Sequence, residues 1–171
     1  MTSAELARGC WGVAEPACGQ AVGAALEGLA EFESHSYGYA SVQAATPGVT
    51  VRVILEPTDG SAPIEALVGS GGDLVSARET DSYVSVEPSS GPAPVGEPFR
   101  MELGHCGIFS GIDADGSYWD PVGQIDPESP DTINAAPGRM LITGDTAVLE
   151  TDSLRLDLVR HDGVKYLPLC A

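Results

Sequence analysis

The sequence predicts an α+β protein: one N-terminal helix on a small antiparallel sheet, followed by a mostly antiparallel β meander. Three observations carry that expectation. Apolar residues recur at helical spacing near the N-terminus, where Cys18, Val22, Ala25, Leu29 and Phe32 form one stripe. Beyond it the apolar period falls from about 3.6 to about 2, in short runs separated by Gly, Asp and Pro. Residues 88–98 hold Pro88, Pro92, Pro94 and Pro98 with Gly91 and Gly96, which suit neither a helix nor a central strand. They are expected to form a linker or crossing between 1–87, the helix with its antiparallel strands, and 99–171, a β-rich module. The two parts pack separately or as one domain.

Taken in order, the helix is expected over 16–32, with Pro16 near its start. Gly19, Gly23 and Gly28 each weaken it by roughly 1 kcal/mol relative to alanine, so packing or a covalent tie must hold it. Tyr37, Tyr39 and Ser41 then alternate, as do Val49, Val51, Val53 and Leu55, and shorter apolar runs follow at 64–68, 74–77 and 83–86. After the crossing, Phe99, Met101 and Leu103 alternate with Arg100 and Glu102, and the apolar run 108–112 leads to Asp115 and Gly116. That dipeptide is a hairpin signal, with the chain resuming at 117–119. Asp162 and Gly163 predict a second hairpin, between 154–160 and 164–167. Residues 120–138, with four prolines and the acids Asp120, Asp126, Glu128 and Asp131, read as one long loop. Loops of that length inside compact domains are uncommon and tend to be functional or mobile.

Charge narrows the function classes. Eight Lys and Arg against twenty-five Asp and Glu give a net charge of −17, spread along the chain. This argues against nucleic acid and anionic membranes as partners. No apolar stretch is long enough for a membrane helix, and Glu5, Arg8, Glu15 and Glu27 interrupt the first thirty residues, which show no signal-peptide pattern. The four cysteines, Cys10, Cys18, Cys106 and Cys170, lack the CxxC spacing of zinc ribbons and redox sites. Two disulfides are expected. Cys10 with Cys18 is the natural local pair, Cys106 with Cys170 would close the β half, and the other pairings stay open. Disulfides place the expected compartment outside the cytoplasm or in the cell envelope, any export signal lying outside these residues; cytoplasmic is the alternative.

The candidates for chemistry are few. His105 and Cys106 are neighbours, and neighbours on a strand face opposite ways, so a Cys106 nucleophile would need His35 or His161 as its base. His105, Cys106, His161 and Cys170 are zinc-compatible donors without a zinc spacing, and Gly69, Gly71 and Gly72 lack the lysine and helix of a phosphate loop. Asp113, Asp115 and Asp120 have the oxygens of a calcium loop but not its pattern, since Ser117 and Gln124 stand at ligand positions. Weak divalent-cation binding, shared between this turn and the acidic segment, is the reading those oxygens allow. Trp119 fits a buried role or an aromatic platform.

The run His105, Cys106, Gly107, followed by Asp115, Gly116, Ser117, Tyr118 and Trp119, resembles a group of small exported bacterial proteins, many of them lipoproteins. In these, His-Cys-Gly precedes Asp-Gly-x-x-Trp in a β-rich domain. The likeness covers about 99–171; it implies an envelope or extracellular location and no particular reaction. The expectation is therefore a non-catalytic exported module that binds a partner protein or cell-surface component. Its binding candidates are Asp113, Asp115, Trp119, Asp120, Asp126 and Asp131; no residue is assigned as catalytic, and no metal or cofactor is expected. The alternatives are a small hydrolase built on Cys106 and a cytosolic metal-binding protein.

Overall fold

The computed structural model describes residues 7–29, 37–46 and 49–170. Phe32 and His35 lie outside them. The chain runs β1 (Ala7–Trp11), α1 (Glu15–Gly28), β2 (Tyr37–Thr46), β3 (Thr50–Pro57), β4 (Ile64–Gly69), β5 (Leu74–Glu79), β6 (Tyr83–Val86) and β7 (Phe99–Leu103). A 3-10 turn (Ile108–Ser110) follows, then β8 (Ile112–Ala114), β9 (Ser117–Ile125), α2 (Pro130–Ile133), β10 (Ala136–Thr143), β11 (Thr146–Thr151), β12 (Arg155–Arg160) and β13 (Lys165–Pro168). The α+β class holds, but the sheet is not small.

Eleven strands form one sheet in the order β5-β4-β3-β2-β1-β9-β12-β11-β10-β7, with β8 paired to β9. The strand that joins its two halves is β1, parallel to β2 on one side and to β9 on the other. Successive side chains of a strand project to opposite faces. Cys10 accordingly enters the core beneath α1, with Val22, Ala25, Val42 and Val53, while Trp11 enters a second core with Trp119, Ile125, Met140 and Leu149. One short strand thus feeds both cores.

The stripe predicted for α1 is the buried one: Cys18, Ala21, Val22, Ala25 and Leu29 face the sheet. The helix ends at Gly28, where an added Cβ would stand 2.5 Å from the Leu74 side chain, so glycine lets the last turn close on β5. The Asp115–Gly116 hairpin forms as expected: Ala114 pairs with Ser117, and φ is 54° at Asp115 and 67° at Gly116, as a tight two-residue turn requires.

Two expectations fail for physical reasons. The loop at 120–138 is instead the inner part of β9, the one-turn helix α2 and the start of β10. Pro121 is tolerated in β9 because the ladder to β1 runs only over residues 123–125, leaving Pro121 paired on one side alone, opposite Leu158. The Asp162–Gly163 hairpin does not form either, because β13 leaves β12 and pairs with β6 as a separate two-stranded ribbon. The apolar run 108–112 is mostly a 3-10 turn, since Gly107 and Gly111 adopt φ of 60° and 81° around it. Among the described residues no helix is long and apolar enough to cross a membrane.

The disulfides are Cys10–Cys18, tying β1 to the first turns of α1, and Cys106–Cys170, separated by 64 residues and joining the segment after β7 to the C-terminal end. Their Cα–Cα distances are 5.9 and 6.4 Å, within the usual span. Loop-closure entropy grows with the ring, so removing the long bridge (Cys106→Ala with Cys170→Ala) is expected to cost about 4 kcal/mol and removing the short one about 2.5 kcal/mol. Urea unfolding of the two double variants checks that order.

Candidate functional site

On the sheet face opposite α1, the β6–β13 ribbon covers the junction of β2, β3 and β9, and there the fold buries its charges. Tyr39 on β2 lies directly opposite Glu56 on β3. Lys165 on β13 reaches over both: its Nζ donates to Glu56 Oε1 at 3.2 Å and to Asp120 Oδ1 on β9 at 3.1 Å, and sits 4.3 Å above the centre of the Tyr39 ring. His161, just past β12, completes the group with Nδ1 at 2.7 Å from Asp120 Oδ2 and Nε2 at 3.0 Å from the Val164 carbonyl. The side chains of Asp120, His161 and Glu56 are 0%, 3% and 4% exposed.

The electrostatics follow from burial and pairing. Burial raises the Asp120 carboxyl, but Lys165 and the His161 hydrogen bond pull it below its ordinary value. Burial also raises Glu56, and with less help it stays above its ordinary value. Burial lowers Lys165, but Asp120 and Glu56 overcome that and hold the ammonium above its ordinary value. The Val164 carbonyl can only accept, and so can an ionised Asp120, so both His161 contacts are hydrogen bonds only when both ring nitrogens carry protons. A small cavity of about 50 Å³ adjoins this quartet of Glu56, Asp120, His161 and Lys165, with Trp11, Tyr39, Glu56 and Lys165 among its walls, room for water but not for an organic substrate.

Every side chain of this group is engaged within the protein. His161 has both nitrogens engaged inside the protein and Cys106 is bonded to Cys170, whereas His35, the other base named for the hydrolase alternative, lies outside the described residues. No cysteine is free among the described residues, which also removes thiolate ligands from the metal-binding alternative. Among the described residues no three His, Cys, Asp or Glu side chains converge as a ligand set.

The acids singled out from sequence are mostly fasteners. Asp113 accepts from the backbone N–H and hydroxyl groups of Ser89 and Ser90, and Asp115 accepts from Ala93 N at 3.1 Å and Arg160 Nη2 at 3.2 Å. Together they strap the 88–98 crossing onto the β8–β9 hairpin. The Ala93 hydrogen bond and the Arg160 guanidinium hold Asp115 below the ordinary carboxylate value. Asp126 Oδ1 accepts from Glu128 N, and Asp131 accepts from Thr151 Oγ1 at 2.6 Å and Ser153 N at 3.1 Å, fixing α2 to β11; these donors lower its carboxyl. Trp119 is 1% exposed, donates from Nε1 to the Ala114 carbonyl and carries the Arg160 guanidinium 4.4 Å above its ring. It is core, and Asp120 belongs to the buried quartet.

Sequence reasoning missed Glu56, His161 as a partner of Asp120, and Lys165. One signal was available: Lys165 is the sole lysine of the chain and stands beside the apolar residues Tyr166 and Leu167.

A second feature lies at the surface. An open groove of about 650 Å³ runs past the Cys106–Cys170 bridge, between Tyr83 and Phe109 on one part of its wall and Arg52 and Arg78 on another. Ile133 and Leu169, 56% and 64% exposed, flank it. Both guanidiniums are served by one carboxylate, Glu65, at 3.2 Å from Arg52 and 2.9 Å from Arg78. Burial, with the carboxylate of Glu56 nearby, pushes the Tyr83 phenol up to about 12, so it remains a hydrogen-bond donor there.

Comparison with known protein families, with curated proteins and with solved structures gives no match.

The quartet predicts a definite pH response. Lys165 has a folded value above the unfolded one of about 10.4, so its contribution is complete below that pH and is lost as pH rises through the folded value. In acid, Asp120 loses its contribution as pH falls through its lowered value, whereas raised Glu56 works in the opposite sense, so the alkaline limb is the cleaner readout. Lys165→Met is expected to cost about 3–5 kcal/mol at neutral pH and to flatten that alkaline limb, as measured by denaturant unfolding across pH. Gly107, in the His-Cys-Gly run, has φ of 60° and an added Cβ would meet the Asp131 and Thr132 carbonyl oxygens at 2.5 Å. Gly107→Ala is therefore expected to lose about 2–4 kcal/mol in the same assay.

Proposed function

We propose that this chain is a non-catalytic, exported or envelope-located binding module that takes a peptide segment of a partner protein, acidic beside apolar, into the groove at the Cys106–Cys170 bridge. The observation that carries this reading is the groove's composition. In a chain of net charge −17, two guanidiniums share a single carboxylate beside two large exposed apolar side chains. A carboxylate on the ligand would complete the pairing of Arg52 and Arg78, and an apolar neighbour would cover Ile133 and Leu169. The two disulfides support an oxidising compartment, as does the resemblance of the His-Cys-Gly and Asp-Gly-x-x-Trp runs to exported bacterial proteins. The groove replaces the Trp119 hairpin and the acidic segment as the recognition surface, because their side chains are spent on internal contacts.

Selection of a displayed random-peptide library on the oxidised protein examines this directly. Binders are expected to carry Asp or Glu next to apolar residues, and Arg78→Glu and Ile133→Ser each to weaken them about tenfold or more. Binders without an acidic residue, or binding indifferent to both changes, would overturn the assignment.

A further inference from the structure

Strand β7 ends the sheet order on one side, and among the described residues its backbone makes no hydrogen bond outside the pairing with β10. Its charges are also unsettled. Arg100 lies directly opposite Arg139 on β10; both are exposed, and neither they nor Glu102 have an ion-pair partner among the described residues. Glu150, opposite Arg139 on its other side, is instead bonded to Arg155 at 2.6 Å. Two arginines facing one another across a ladder are a destabilising pair, in a protein with acids to spare.

The sequence of this edge supplies the remedy. Phe99, Arg100, Met101, Glu102 and Leu103 read as the charge-reversed image of themselves about Met101. If a second β7 is laid antiparallel about a two-fold axis through Met101, Arg100 stands opposite Glu102 of the second copy and Glu102 opposite its Arg100. Met101 then meets Met101, and Phe99 meets Leu103. We propose that the protein self-associates as a two-fold dimer through this edge, continuing the sheet from one copy into the next. Charged residues on an edge strand ordinarily disfavour pairing with another strand, which would desolvate them unpaired. This pair is matched only by a strand that carries opposite charges at the same spacing in reverse, so the edge selects its own copy. The other edge strand, β5, carries no such charge-reversed sequence.

Five residues a side make a small contact, so the dimer is expected to be reversible and concentration-dependent. Sedimentation equilibrium over a concentration series reads it. Arg100→Glu and Glu102→Arg, each placing like charges opposite one another twice per dimer, are expected to weaken association about tenfold or more, and R100E/E102R together to restore it. A wild-type protein that stays monomeric throughout, single changes without effect, or a double variant that stays weakened would overturn the proposal. A second reading needs no variant: amide exchange over 99–103 should slow as wild-type concentration rises while that of β5 does not. Exchange independent of concentration at β7 would equally overturn it.

Discussion

The Lys165 ammonium joins three separate strands of the chain on the face of the sheet opposite α1. It comes from the ribbon strand β13, and its two carboxylates come from β3 in one half of the sheet and β9 in the other. Each of these groups is costly to bury alone and tolerable only in the company of the others. A single displaced strand would leave an unpaired charge in the interior, so the quartet fixes register and relative placement more than it adds net stability. The ammonium sits over the face of the Tyr39 ring, whose position opposite Glu56 is set by the β2–β3 ladder. His161 anchors the other end by gripping Asp120 and the Val164 carbonyl, and this bends the chain away from β12 and sends β13 toward β6.

That bend explains the failure of the Asp162–Gly163 hairpin. Turn chemistry at those residues is favourable, but a hairpin there would remove Lys165 from its carboxylates. Local propensity lost to a tertiary ion group. Helix α1 and the Asp115–Gly116 turn were legible because each is decided within a few residues, by a stripe of small apolar side chains or by two positive φ angles. Strand β1 was illegible for the opposite reason. It is five residues long, includes an arginine and a glycine, and its place depends on parallel partners thirty and more than a hundred residues away. Strand β9 was hidden by Asp120 and Pro121, which read as loop residues until Lys165 and the flanking strands are in view.

The two cysteine pairs divide the work that β1 and the quartet leave undone. Cys10–Cys18 fastens the central strand to the glycine-bearing helix, whose weak intrinsic propensity needs such support. Cys106–Cys170 holds the C-terminal end beside the 3-10 turn, where Phe109 stacks on Trp11 with ring centres 4.7 Å apart. The indole of the central strand is thereby covered from the same side as the ribbon.

The distribution of charge then separates structure from recognition. In an acidic chain an acid is the expected surface residue, so a cluster of acids says little about binding. Here the carboxylates of Asp113, Asp115, Asp120 and Asp131 are consumed by serines, backbone amides, Arg160, Lys165 and Thr151. The scarce groups are the cations. Arg155, Arg160 and Lys165 are paired with acids inside the fold, whereas Arg52 and Arg78 share one carboxylate and Arg100 and Arg139 have none among the described residues. Incomplete pairing of a scarce charge is a stronger sign of an outside partner than abundance of the common one. Among the described residues it occurs in two places, a groove and a sheet edge.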